Sequence, residues 1–256
     1  MYMTKTQLRS CARGNLLGHY RSVVGGLLLT VIVWLFVNIP FTNMIMQGVY
    51  FSAIPRIVIG VIGFVIVFII GMLLFAGVSR IHLQLARNRK PVARDILYAF
   101  LNQPGKFVGF DLLRAVIGVA CLLPGLLCLL FSVSISFDTR EVEVVMRTLM
   151  IIGHFVLLAG IILFVYILHA WALTVFILLD NTNLRMREAQ KKSREIMHRR
   201  KWQLFLLILT FLGWIVFCIL SFGLALLWVV PYIHQSIACF YLDHISATAG
   251  ENEQKA

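Results

Sequence analysis

"KWQLFLLILTFLGWIVFCILSFGLALLWVVPYIHQSIACFY", residues 201–241, carries no charged side chain after Lys201. Two apolar runs, 203–220 and 223–242, meet at the Ser221–Gly223 turn. Each comes close to the roughly 20 helical residues that cross about 30 Å of hydrocarbon. The stretch therefore reads as two membrane helices joined by a tight turn.

The same pattern repeats toward the N-terminus, where apolar runs at 22–39, 55–79, 107–131 and 145–171 bring the expected number of spans to six. The patterns from Ile54 to Leu85 and from Val144 to Leu179 overrun a bilayer, so those helices must tilt, kink or protrude. Of the 256 residues, 60% are hydrophobic and 13% charged, and the mean hydropathy is +0.90. A soluble domain is about half apolar and a quarter charged. No stretch is left over for a separate soluble domain, which predicts one polytopic membrane domain over 1–245 and a loose polar tail over 246–256. The first run, Val23 to Ile39, precedes "PFTNMIM" without a small-residue cleavage pattern and reads as an uncleaved span.

Charge sets the expected orientation. Lys5, Arg9, Arg13 and Arg21 precede the first span; Arg80, Arg87, Arg89, Lys90, Arg94 and Lys106 fill the second connection, and the fourth runs from Arg185 to Lys201. The alternate connections hold only Arg56, Arg140 and Arg147. By the positive-inside rule both termini are cytoplasmic, in agreement with an even number of spans. The net charge of +12 flanks apolar segments and forms no basic patch with interleaved aromatics, which favours a membrane surface over nucleic acid.

The three basic segments share a design: a short, partly amphipathic stretch, then His19-Tyr20, Lys106-Phe107 or Lys201-Trp202, then a span. The expected fold is thus all-α, with six transmembrane helices as three hairpins, each preceded by a basic surface helix. In the third copy Glu188 and Lys192, and Glu195 and Arg199, are spaced for i, i+4 pairing, and Met186, Ala189, Ser193, Ile196 and Met197 make a mildly apolar stripe. Arg185, Arg187, Lys191, Lys192, Arg194, Arg199, Arg200 and Lys201 are its expected anionic-lipid surface, at about 1 kcal/mol for each charge near an anionic leaflet.

Within the spans the conspicuous polar residues are Tyr232, His234 and Gln235, beside Ser236 and the helix-bending Pro231. His234 lies roughly 11 residues in from the Ser221–Gly223 turn, near the bilayer midplane. Two readings stand: interhelical hydrogen bonding, or the lining of a polar cavity. Asp111 and Arg114 are spaced to pair on one helix face, with a lipid phosphate on Arg114 as the alternative. Asp180 and Asp243 read as interface markers. His154 and His169 lie about 22 Å apart along one helix and cannot share a metal. The five cysteines, Cys11, Cys121, Cys128, Cys218 and Cys239, form no CxxC pair and read as small core residues. With no Walker motif, dinucleotide loop, GxSxG or HExxH, the sequence implies no enzyme, no metal and no cofactor.

The C-terminal third resembles the bacterial membrane-protein family known as domain of unknown function 975. The residues that carry the resemblance are Ser193, Met197, Phe205, Phe211, Gly213, Trp214, Gly223, Pro231, Tyr232, Phe240 and Tyr241, with "CARGNLLGHY" at 11–20 similar to the family's opening segment. It implies a multi-pass protein in the plasma membrane of a Gram-positive-type bacterium and brings no established activity. The expected function is a non-catalytic accessory or scaffold engaging anionic headgroups, a membrane-protein partner or a second copy of itself. The alternative is a transporter or lipid-translocating protein with a polar site around His234.

Overall fold

The computed structural model describes residues 2–46, 53–134 and 140–253. Regular structure there is entirely helical: α1 (Lys5–Leu16), α2 (Tyr20–Met46), α3 (Ala53–Ala86), a 3₁₀ turn (Ala93–Leu97), α4 (Tyr98–Leu101), α5 (Pro104–Ser134), α6 (Arg140–Ala170), α7 (Thr174–Asp180), α8 (Met186–Leu209), α9 (Leu212–Leu220) and α10 (Leu226–Glu253). Two compact units emerge. One combines 1–108 with 173–256, and the other is 109–172.

By length and composition the described residues give fewer than the six expected candidate spans. Four stretches are long and apolar enough to cross a membrane: Val58–Ala86, Pro104–Ser132, Val142–Asp180 and Met186–Leu220. A fifth arises only if α1 and the start of α2, bent by 87°, count together. The bend falls at Leu17–His19, where Gly18 takes φ +83°, a value that costs glycine nothing. The expected sixth span, 223–242, lies mostly within α10 and fails the same criterion. Its apolar residues are interrupted by Tyr232, His234, Gln235, Ser236 and, one residue on, Asp243.

The expected surface helices also take different forms. The first is a separate helix, α1, opened by a capping box in which Gln7 N–H donates to Thr4 Oγ1 and Thr4 N–H to Gln7 Oε1. Leu8, Ala12 and Leu16 on one face are fully buried. The second shrinks to the 3₁₀ turn and α4. The third does not separate from its span: α8 runs unbroken from Met186 to Leu209, and a single stripe of Ala189, Ser193, Met197, Arg200, Leu204 and Leu207 is buried along its length. A stripe with 3- and 4-residue spacing gives one continuous helix no reason to bend.

α3 is the centre of the first unit. Its C-terminal half, from Met72 to Leu85, is buried on nearly every side, packed by α1, α2, α7, α10 and the 3₁₀ turn. Gly77 makes that possible: a Cβ there would lie 1.9 Å from the carbonyl oxygen of Ile96. In the second unit α5 and α6 form an antiparallel hairpin whose register is read from small residues, Gly125 against Leu157 and Gly160 against the Cys121 carbonyl. Close backbone approach through glycine is the usual device for helix pairs in lipid. Only 11% of the apolar window of α5 is buried within the chain, against 33% in α3, so most of that hairpin's surface presents aliphatic side chains outward.

Residues 246–253 are helical, in place of the expected loose tail. An established helix extends cheaply, and Thr248 Oγ1 donates to the His244 carbonyl. Pro231 falls early in α10, which continues through it to Glu253.

Candidate functional site

α10 carries a polar seam. Tyr232, Gln235, Ser236, Cys239 and Asp243 recur at 3- and 4-residue spacing, share one face and are buried. The levels of the seam meet α1, α3 and α8 in the first unit.

Nearest the start of α10, the Tyr232 hydroxyl accepts from Arg9 Nε and donates to the Arg9 carbonyl, both at 3.4 Å. Its ring packs edge-on against Phe211, with centroids 5.0 Å apart. At the next level Gln235 Oε1 lies 2.8 Å from His82 Nδ1. A carbonyl oxygen only accepts, so His82 carries its proton on Nδ1. The His234 ring stands edge-on to Phe75 and tilted over His82, at 5.0 and 5.3 Å between centroids, and its buried Nδ1 has no hydrogen-bond partner. His234 and Gln235 are therefore brought together with a third residue, His82, that the sequence did not single out. The only cue was an imidazole between Arg80 and Gln84, near the C-terminal end of the apolar run of α3.

One turn further, the thiols of Cys239 and Cys11 are in contact, Sγ to Sγ 2.9 Å, with the Asn15 amide against both. The hydrogen bond from Cys239 draws the Cys11 thiol on α1 down to about 7.

The last level is ionic. Arg200 on α8 is 4% exposed and pairs with Asp243 at 2.5 Å. Its Nε donates to Gln203 Oε1, and Tyr2 and Phe240 each lie 4.1 Å from the guanidinium carbon. The other Asp243 oxygen accepts from Met3 N–H, and Gln203 in turn donates to the Met3 carbonyl. Arg200 thus leaves the expected lipid-facing set: it belongs to the buried stripe of α8, and a guanidinium can be buried there because Asp243 neutralises it.

Asp243 has two counterparts at the same end of this unit. Arg80 on α3 pairs with Asp95 at 3.1 Å and lies over the Tyr98 ring. Arg87 pairs with Asp180, which also accepts from Tyr241 Oη, and Lys106 Nζ donates to the Thr182 carbonyl. The expected interface markers Asp180 and Asp243 are therefore links between elements. Together these bonds gather the N-terminal segment, the 87–106 connection and the start of α8. Arg185, Arg187, Lys191, Lys192, Arg194 and Arg199 remain exposed, and Lys201 is half-buried. In the second unit Arg114 pairs with Asp111 at 2.7 Å, as the spacing predicted. Among the described residues no three His, Cys, Asp or Glu side chains come together as a metal site.

The model of the family described as "Protein of unknown function (DUF975)" matches residues 1–248. The chain belongs to this family. No curated protein and no solved structure matches the DUF975 chain. For this DUF975 protein the seam and the basic end must supply the functional reading, and both lie inside the matched region.

Proposed function

We propose that the protein is a non-catalytic, multi-pass membrane protein whose basic end engages anionic lipid at the cytoplasmic leaflet, as a scaffold or accessory for other membrane components. One observation carries this reading. Three ion pairs hold cationic segments in place, Arg80–Asp95 within the second connection, and Arg87–Asp180 and Arg200–Asp243 between residues 93 and 43 positions apart, while the basic face of α8 stays exposed. Asp carboxylates neutralise the cations that hold the fold, and the unneutralised ones point outward. Those exposed charges match a negatively charged leaflet, where each contributes about 1 kcal/mol. Positive-inside topology then assigns this end, with both chain termini, to the cytoplasmic side of a bacterial plasma membrane.

The test is lipid composition around the full chain. Protein reconstituted in nanodiscs of mixed phosphatidylglycerol and phosphatidylcholine should enrich phosphatidylglycerol, and the triple variant Arg187→Gln, Lys191→Gln, Arg194→Gln should lose most of that enrichment. Equal lipid ratios for both proteins would overturn the proposal.

A second reading, transport through a polar site near His234, draws on the unpartnered Nδ1 of that buried ring. It requires that proteoliposomes show solute or lipid flux that His234→Ala changes. Against it stands the close packing of the same ring on Phe75 and His82.

A further inference from the structure

Beside the buried Arg200–Asp243 pair lies a cavity of about 590 Å³ between α8 and the C-terminal part of α10. Its walls include Lys192, Glu195, His198, Arg199, Arg200 and His244, with Tyr2 covering one side. Three cations and two imidazoles thus face one carboxylate. Lys192, His198 and Arg199 are exposed, whereas Arg200 is buried and held in place. Its guanidinium is held between the Tyr2 and Phe240 rings and fixed by Asp243 and Gln203. One of its amino groups, Nη1, is buried and has no hydrogen-bond partner in the protein. Arg200 thus supplies the cavity with a fixed positive charge at its base, while the donors that can reach into it are those of Lys192, His198 and Arg199.

We propose that this cavity is a binding site for a single phosphoryl headgroup, an anionic phosphate ester with no positive charge of its own. The inference rests on the lipid-engaging reading but narrows it from a diffuse surface to one site. Planar guanidinium and mobile ammonium and imidazole donors are the groups that recognise phosphate oxygens. The cationic wall disfavours a choline headgroup, whose quaternary amine would lie against Lys192 and Arg199. Glu195 opposes binding and sets a ceiling on affinity.

Native mass spectrometry of the full chain in mild detergent tests the site with three probes: phosphatidylglycerol, phosphatidylcholine and inorganic phosphate. Wild type should retain one phosphatidylglycerol in preference to phosphatidylcholine. Lys192→Gln with Arg199→Gln should lower that occupancy about tenfold or more, two charges having been removed. Glu195→Gln should raise it, an opposite sign that a misfolded variant would not produce. Arg200 is left intact because its loss would disturb the fold. Displacement of the lipid by millimolar phosphate would identify the phosphate group alone as the ligand, whereas persistence would identify the lipid. Retention of both lipids equally, or occupancy unchanged in both variants, would overturn the site. The triple variant at Arg187, Lys191 and Arg194 lies outside the cavity. If it abolishes nanodisc enrichment while the cavity variants do nothing, the surface reading stands and the site falls.

Discussion

At the scale of single residues, Arg200 shows how one side chain changes meaning with its surroundings. In a run with Arg199 and Lys201 it looks like another interfacial cation, yet its neighbours on the helix face are Met197 and Leu204, both fully buried. Removing either member of the Arg200–Asp243 pair leaves the other charged and buried, which costs about 3–5 kcal/mol. Arg200→Ala should therefore lower thermal stability in detergent sharply, and Arg199→Ala, at an exposed position, should shift it by no more than about 0.5 kcal/mol. Equal effects would mean that Arg200 is not buried. The clue was present in the sequence: Ser193, Met197, Arg200, Leu204 and Leu207 follow helical spacing across the boundary between basic and apolar halves. It was obscured because charge density, the stronger local signal, assigns all the cations of a run to one role. His82 was obscured for another reason, since its partner Gln235 lies 153 positions away. Tyr232, His234 and Gln235 were legible because polar groups in an apolar helix need partners wherever the helix lies.

Among elements, glycine divides close approaches from open surface. Gly77→Ala would force a methyl group to within 1.9 Å of the Ile96 carbonyl, displacing the 3₁₀ turn from α3. A loss of about 1–3 kcal/mol or more is expected from overpacking alone. Gly213 in α9 has nothing within 4 Å of the same position. Gly213→Ala should be neutral or stabilise by roughly 0.5–1 kcal/mol through helix propensity. Thermal unfolding of the two variants side by side checks the packing of α3. The contrast also explains which elements the sequence foretold. Apolar length predicted the helices that fill the spans, and "SFG" predicted the turn after α9, where Phe222 and Gly223 take φ +51° and +86°. Whether a surface helix bends away from its span was not legible. Gly18 permits the bend after α1, but the continuity of α8 depends on its stripe meeting neighbours from other parts of the chain.

For the whole molecule the topology is the testable quantity. In a chain with its native cysteines replaced, a thiol introduced at exposed Lys191 should resist a membrane-impermeant maleimide applied outside intact cells. One at exposed Glu143, on the other side of the α5–α6 hairpin's membrane crossing, should react. The reverse pattern would invert the proposed orientation. Six spans were expected because every apolar run was given equal weight. By length and composition four or five candidates stand among the described residues, since α2 qualifies only together with α1 and α10 trades apolar length for the seam that α1, α3 and α8 pack against. Hydropathy measures what a helix is made of, and the partners of α10 come from three distant parts of the chain.

Those distances govern the order of assembly. Met3 is bonded to Gln203 and Asp243, and Cys11 touches Cys239. The α5–α6 hairpin can close as soon as its own residues have left the ribosome, whereas α1 meets α3 early but its main partner, α10, only after more than two hundred further residues have been made. The opening helix is thus completed last: the arrival of the final helix covers the rest of its buried face.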